Sequence, residues 1–473
     1  MSEALAIAGQ RVADELAAAL GAQNIVAGEE IGERYRVDII GKYRTAPAFL
    51  AKPATTEEVA AVVRIAAAHD LPITAIGGQT GTCGGAIAQD GSIALSLERM
   101  NRILEIDPVS MTVTLEAGCI LQIAQEAVEQ QGAFLPLDLG SRGSAMIGGC
   151  IAANSGGNRV LRWGMMRDMV LGLEVVLADG TVVSSLTKMI KDNAGYHWKE
   201  LMIGSEGTLG IVTTAVLRLR PNPLTNQTAL VALPSFDMVT RLLRDLEVKL
   251  SGQLSSFEIM WGAFFELITT AQLARRPRPM ALGYPYYVLV ERLGGDPQVD
   301  AEQFERVLAD QIEVGVMLDA VIAKSEKERA ALWAVREELR GGFDPLQPCS
   351  VYDVGMALVD MPTFVEDVQR NMEAAYPGAK LIFYGHAGDG NLHLVVSVGK
   401  DRASNEHDID RIVYETVQTV RGSIAAEHGI GMSRLPFIGL TRSEAELDLM
   451  ARLKQALDPQ GLLNPGKVVA ERH

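Results

Sequence analysis

From Pro53 onward the chain alternates between two hydrophobic spacings. Across Glu57–Asp70 apolar positions recur at helical period, and Thr55 followed by Glu58 has the capping-box order that opens a helix. Pro72–Ile76 predicts a short strand that runs into the glycine loop Gly77–Ala86. Ser92–Leu97 and Thr112–Ala117 alternate as strands, and Leu121–Gln131 reads as a helix. Leu173–Ala178 and Thr181–Ser184 predict a hairpin about the turn Asp179-Gly180. At the N-terminus, Met1–Leu20 is Ala-rich and broken by Glu3, Gln10, Arg11, Asp14 and Glu15. That pattern predicts an amphipathic surface helix, not a signal peptide.

The stretch Arg220-Pro221-Asn222-Pro223-Leu224-Thr225-Asn226 interrupts the pattern, and a domain boundary is expected there. Beyond it, helix-length segments (Phe236–Leu250, Val299–Gly315, Glu326–Arg340) alternate with strand-like runs (Thr228–Leu233, Tyr286–Glu291, Leu394–Val398). The expectation is α+β throughout: one domain over 1–222, a second over 223–425 whose sheet carries helices on one face, and a C-terminal segment over 426–473. No internal repeat or low-complexity tract interrupts this order.

Composition narrows the function classes. The 473 residues suit two to four domains at ~100–200 residues each. Acidic residues outnumber basic ones 59 to 43, for a net charge of −16, which argues against nucleic acid as the main partner. The four cysteines (Cys83, Cys119, Cys150, Cys349) are widely spaced, without C-x-x-C, so neither a disulfide framework nor a thiolate zinc site is expected, and a cytoplasmic location fits. No run of about 18 apolar residues predicts a membrane span.

Glycine is the informative excess. The 46 glycines gather at Gly77–Gly85, Gly140–Gly157, Gly204–Gly210, Gly385–Gly390 and Gly429–Gly431. Tight turns explain any one cluster. Five together point to a large buried ligand, because bare backbone allows close approach. Ile76-Gly77-Gly78-Gln79-Thr80-Gly81-Thr82-Cys83-Gly84-Gly85-Ala86 has the small residues of a concave anion nest but not the G-x-G-x-x-G spacing of a nicotinamide dinucleotide fold. Gly461–Lys467 imitates a phosphate-binding P-loop, yet Val468 stands where Ser or Thr is required and no helix-length segment follows.

A second kind of cluster carries imidazoles. His386-Ala387-Gly388-Asp389-Gly390-Asn391-Leu392-His393 sets two histidines around a glycine turn, and Glu427-His428-Gly429 adds a carboxylate and a third imidazole. Only seven histidines occur in the chain, and three lie in these two motifs. Two His and one Glu satisfy a divalent transition metal with open positions. A His pair alone is commonly structural. Asp389, flanked by glycines, reads as a turn residue instead of a ligand.

The glycine loop, Pro136-Leu137-Asp138-Leu139-Gly140 running through Gly148-Gly149 to Asn154-Ser155-Gly156-Gly157, and Ile203–Val212 together resemble the FAD-binding oxidoreductases related to vanillyl-alcohol oxidase. The resemblance is most specific to the D-2-hydroxy-acid dehydrogenase branch, covering D-lactate, glycolate and D-2-hydroxyglutarate, and extends from about Pro47 to Val468. It implies an FAD-binding domain over 1–222, a substrate or cap domain over 223–425, and a C-terminal segment that returns to the flavin. The implied flavin contacts are Ile76, Gly77, Gly78, Gln79, Thr80, Gly81, Gly84, Gly85, Ala86, Pro136, Asp138, Leu139, Gly148, Gly149, Asn154, Gly157, Ile211, Val212 and Asn464. Some relatives tether FAD through a loop His. Here the loop has none, so FAD is expected to be non-covalent, with Cys83 a small filler.

The resemblance further implies zinc or manganese on His386, His393 and Glu427, with His428 as the catalytic base and a substrate ligand. Such a metal lowers the pKa of the substrate hydroxyl, the base takes its proton, and the α-hydrogen leaves as hydride to the flavin. Asn391 would hydrogen-bond the substrate. Arg336, in Trp333-Ala334-Val335-Arg336-Glu337-Glu338, would grip its carboxylate through a bidentate guanidinium. The hydroxyglutarate branch carries a Thr and a Lys where Arg340 and Val351 stand, so Arg340, one helical turn from Arg336, is expected to hold a second carboxylate or to face solvent. The leading expectation is oxidation of D-2-hydroxyglutarate, with D-lactate or another small D-hydroxy acid as the alternative. By the same resemblance, electron-transfer flavoprotein or a quinone would accept the electrons, and a homodimer is expected. A colourless metal hydrolase and an idle flavin-binding subunit are the readings from other classes.

Overall fold

In the computed structural model, which describes residues 3–272, 275–339 and 341–470, the chain divides into two units. Unit 1 is Met1–Gly156, Met165–Asn222 and Glu427–His473; unit 2 is Gly157–Gly164 and Pro223–Ala426.

Unit 1 has two larger sheets. Strands β1 (Ile25–Ala27), β2 (Phe49–Ala51), β3 (Ile73–Ile76) and β4 (Ile93–Ser96) form the first, in the order β1-β2-β4-β3. The helix Thr56–Ala68 connects β2 to β3, and its N-cap Thr55 accepts from the amide of Glu58, as the capping pattern required. The second sheet begins with β5 (Ile103–Asp107) and β6 (Thr112–Glu116). After the short β7 (Ala133–Phe134) it continues through β8 (Val170–Val176), β9 (Val182–Ser185) and β10 (Ile211–Arg218), giving the order β5-β6-β10-β8-β9. β8 and β9 are the expected hairpin, with Gly180 at φ +80° in its turn. β11 (Arg220–Pro221) pairs with β7. The C-terminal segment joins the outer edge of the first sheet: Ile73 donates to Leu462, and Asn464 donates back to Ile73.

Unit 2 is built on one antiparallel sheet of seven strands. These are β12 (Thr225–Leu233), β13 (Leu254–Trp261), β14 (Tyr286–Gly294), β15 (Asp319–Ile322), β16 (Ser350–Gly355), β17 (Lys380–His386) and β18 (Asn391–Ser397), in the order β15-β12-β14-β13-β17-β18-β16. Helices lie on both faces, not on one as the sequence suggested. Met260, Tyr287 and Tyr384 pack under the helices Gly262–Gln272 and Glu326–Glu337. On the opposite face Trp261 and Tyr286 meet Phe236, from the helix Phe236–Lys249. The reason is legible afterwards: β13, β14 and β18 are buried at nearly every residue, and a strand buried on both faces loses its polar alternation.

One other expectation changes. The helix expected to reach Arg340 ends at Glu337, with Glu338 as its C-cap, and Arg340 lies outside the described residues. Gly157 groups with unit 2. The turn of helix Val160–Trp163 packs on β13, Ser256 donates to the carbonyl of Asn158, and Leu161 fills the space beside Gly388.

Candidate functional site

The glycine loop leaves β3 at the buried Ile76 and passes close to other backbone. A Cβ on Gly78 would run into the carbonyl oxygen of Ser144, so only glycine lets these two backbone runs touch. Gly77 passes over Gly149, whose Cα a Cβ would meet at 3.8 Å. Gln79 adopts φ +55°, and its Nε2 is buried without a hydrogen-bond partner among the described residues. A cleft of about 740 Å³ opens here, lined by Gly78 and Gln79 on one side, by Gly118, Ile120, Gly143, Ser144 and Met146 on the other, and by Arg34 and Glu98. Gly81 is exposed; Thr80 and Ala86 are half-buried.

The remaining nucleotide candidates divide by what engages them. Pro136 is buried, Leu139 half-buried, and the buried Asp138 pairs with Arg142 at 3.3 Å. Ile211 and Val212 are buried in β10. Gly148 is small for a packing reason: a Cβ would press on Ala117 Cβ at 2.7 Å. Asn154 caps its helix at φ +49°, and its Oδ1 accepts from Arg167 N. Asn464 is a clip. Its Nδ2 donates to the carbonyls of Gly85 (2.9 Å) and Glu206 (2.7 Å), while Oδ1 accepts from Thr74 Oγ1 (3.0 Å). Its side chain is engaged by the protein itself and shapes the loop from behind.

Glu206 was missed by sequence reasoning. Its carboxylate accepts from Ile430 N (2.6 Å) and Gly431 N (2.9 Å), and a Cβ on Gly85 would meet it at 2.8 Å. Burial raises its pKa, opposed by those two amides. The signal was present: one acid inside Gly204–Gly210. Lys467, dismissed with the false P-loop, is buried and donates to the carbonyl of Ile87 at 2.7 Å. Burial pushes its pKa down to about 8. The Cys83 thiol is also buried, donates to the main-chain oxygen of His428, and has its pKa pushed up to about 11 by burial. A thiol so far from ionisation is a weak nucleophile at neutral pH.

In unit 2 the imidazoles meet on one sheet face. His386 ends β17, and the turn Ala387–Gly390 returns the chain at Asn391. Gly390, at φ +79°, lies where a Cβ would run into the Met356 carbonyl, and Asp389 accepts from Asn391 N, stabilising the turn. Register places Glu258 opposite His386, Asn391 opposite His386, and both Tyr384 and Asp353 opposite His393. Residues directly opposite share a face, so Glu258, His386, Asn391, His393 and Asp353 form a polar patch continuous with the apolar one under the helices. The two imidazole rings are 5.2 Å apart at 78°, with ring nitrogens within 4.8 Å of each other.

Each imidazole has a carboxylate behind it. His386 Nδ1 lies 2.8 Å from Glu258 Oε1, and His393 Nδ1 lies 4.0 Å from Asp353 Oδ1. Arg336, from the last turn of the helix Glu326–Glu337, donates through Nε to Glu258 Oε2 at 2.9 Å and sets Nη2 3.2 Å from His386 Nε2. Its guanidinium stacks 4.9 Å over the Tyr384 ring. Arg336 is thus held inside the patch, not solvated on its helix. Both amide atoms of Asn391 are buried with no hydrogen-bond partner among the described residues. An orphaned buried amide costs about 1–3 kcal/mol and marks a place for a polar ligand. Glu427 follows Ala426, the last residue of unit 2, and Ala426 sits against Gly355, the neighbour of Asn391 in the sheet. Val351 is exposed on β16.

Compared with known proteins, residues 47–185 match the FAD binding domain and residues 222–468 match the C-terminal domain of FAD linked oxidases. The chain belongs to the FAD-linked oxidases. Among its relatives, a protein of Xanthomonas citri pv. viticola named D-2-hydroxyglutarate dehydrogenase is 38% identical, over 92% of each chain. The mitochondrial D-2-hydroxyglutarate dehydrogenase of Bos taurus is 37% identical over 94% of this chain and 81% of that one. A putative mitochondrial D-lactate dehydrogenase of Schizosaccharomyces pombe is 33% identical over 92% and 84%. In fold, p-cresol methylhydroxylase superposes at TM-score 0.79 over 97% of this chain and 96% of its own, with 16% identity. Unit 1 fits FAD on its own geometry: a glycine-rich loop, a cleft within the roughly 300–1,000 Å³ usual for ligand sites, and the buried Gln79 Nε2 without a partner among the described residues. No helix among the described residues is long and apolar enough to cross a membrane.

Proposed function

We propose that this chain is a flavin- and metal-dependent dehydrogenase that oxidises D-2-hydroxyglutarate to the 2-oxo acid. The observation that carries this reading is the patch in which His386, His393 and the orphaned Asn391 amide share one buried sheet face. It is supported by likeness, over 92–94% of the chain, to relatives named for that reaction. FAD, when bound, accepts the α-hydrogen as hydride, and a zinc or manganese ion acidifies the substrate hydroxyl.

This chain's own residues do the rest. His386 and His393 hold the metal, with Glu427 as the third ligand. Neutral imidazole suits such an ion. His428, the residue after Glu427, takes the hydroxyl proton as general base. Arg336 binds the C1 carboxylate. Its guanidinium has five N–H donors, of which Glu258 and His386 take two. Asn391 donates to and accepts from the substrate's oxygens. Glycine backbone at Gly77–Ala86 receives the FAD pyrophosphate, without a covalent link.

D-lactate is the second reading, favoured by the 33%-identical fission-yeast relative and by exposed Val351 where the hydroxyglutarate pattern places a Lys. An electron-transfer flavoprotein or a quinone takes the electrons onward, and the protein works as a cytoplasmic homodimer. Anaerobic bleaching of the flavin against a panel of D- and L-hydroxy acids tests the reading. Fast bleaching by D-2-hydroxyglutarate alone is expected. No bleaching by any hydroxy acid would overturn it, and preference for D-lactate would move the protein to the second reading.

A further inference from the structure

Glu258 has no part in the chemistry above, yet it is the hub of the patch. It lies on β13, directly beside the His386-bearing β17, and is 1% exposed. One carboxylate oxygen faces His386 Nδ1 at 2.8 Å and the other receives Arg336 Nε at 2.9 Å. A carboxylate so buried is tolerated only when its partners are in place. Resting on the reading of His386 as a metal ligand and Arg336 as a carboxylate clamp, we infer that Glu258 is a positioning residue that fixes both, and that Arg336 and the metal compete for His386 Nε2.

The tautomer argument gives the first half. A carboxylate against Nδ1 demands the ring proton there, and the Arg336 N–H against Nε2 demands a lone pair there. Both neighbours select the same form, neutral imidazole with its lone pair on Nε2, which is the form a metal binds. Without the Glu258 charge the ring is free to rotate or to hold its proton on Nε2, where it cannot ligate.

The second half follows from the 3.2 Å between Arg336 Nη2 and His386 Nε2. One nitrogen lone pair cannot serve a guanidinium N–H and a metal together. A metal on Nε2 would displace Nη2 from His386 while Nε stays on Glu258, and that edge of the guanidinium would then be available to a substrate carboxylate. Glu258 thereby keeps Arg336 beside the metal.

The test measures zinc affinity of the FAD-loaded full chain by competition with a chromogenic chelator, and the absorption of its cobalt-substituted form. Glu258→Gln is expected to weaken zinc by roughly 10–100-fold, shift the cobalt spectrum, and leave the FAD content unchanged. Arg336→Met, which removes the competitor and its charge, is expected to tighten zinc. Unchanged zinc affinity in Glu258→Gln overturns the positioning role. Weaker zinc in Arg336→Met overturns the competition. If Glu258→Gln does not fold, Glu258→Asp keeps the charge but shortens its reach, and unchanged affinity there is equally fatal. A wild-type chain that takes up no zinc or cobalt overturns the metal reading itself, an outcome distinct from either variant result.

Discussion

The Cys83 thiol donates a 2.7 Å hydrogen bond to the main-chain oxygen of His428. Cys83's own carbonyl accepts from Met432 N and Ser433 N, and Gly431 packs so closely on it that a Cβ would overlap that oxygen. With Glu206 holding the amides of Ile430 and Gly431, the backbone around His428 is laid onto the glycine loop. The position of the proposed base is therefore set by the same loop that is proposed to hold the nucleotide.

Replacing the base should leave that scaffold standing. His428→Ala is expected to slow flavin reduction by roughly 10²–10⁴ with FAD content and melting temperature near wild type, because only the main chain of His428 is used by Cys83. Stopped-flow bleaching measures it; a wild-type rate would remove His428 from the reaction.

Chelation should silence the enzyme reversibly. Treatment with a strong chelator is expected to stop anaerobic flavin bleaching by D-2-hydroxyglutarate, and added zinc or manganese to restore it. Bleaching indifferent to chelator would detach His386, His393 and Glu427 from the mechanism.

The glycine loop should not tolerate a methyl group at its tightest point. Gly78→Ala forces a Cβ against the Ser144 carbonyl, an overpacking typically worth about 1–3 kcal/mol. Lower FAD content and a lower unfolding midpoint are expected. Full FAD loading with unchanged stability would show that the two backbone runs separate easily.

Lys467 should impose a rising stability with pH. Its folded pKa of about 8 lies below the ordinary 10.5. Between those values the unfolded chain binds more protons than the folded one, so stability increases with pH there, and the penalty is present in full below the window. From pH 7 to 9.5 the wild type should gain on the order of 2 kcal/mol relative to Lys467→Met, read from urea midpoints. Parallel profiles for the two proteins would show that Lys467 is not burdened by burial.

FAD should leave the denatured protein. With Cys83 held protonated, its pKa near 11, acid precipitation is expected to release all yellow colour to the supernatant. Flavin retained in the pellet would reveal a covalent bond.

Local patterns carried much of this architecture. The Thr55 cap, the Asp179-Gly180 hairpin and the helix opening at Phe236 follow from spacing and turn chemistry alone. The His386–His393 turn was readable because two imidazoles and two glycines leave few alternatives. Glu258 was not read, though alternation along Leu-Ser-Ser-Phe-Glu-Ile-Met-Trp sets it beside Met260 on the covered face. A lone acid in an otherwise buried strand is a demand for partners. Those partners, His386 and Arg336, lie far along the chain, and no local rule names them. Asn464 and Gly148 show the converse: motif residues whose visible work is to hold other protein atoms. The short run Gly157–Gly164 was hidden too, since membership of unit 2 depends on contacts with β13 and β14, not on its own composition.

Because unit 1 is assembled from three separated stretches of sequence, translation cannot deliver it whole before the third has been made. The Asn464 clip on Gly85 and Glu206 is synthesised after every strand of unit 2. A nascent chain halted anywhere before it would hold a glycine loop with nothing behind it, so loss of the segment that carries Asn464 should cost flavin even though it lies far from Gly78 in sequence.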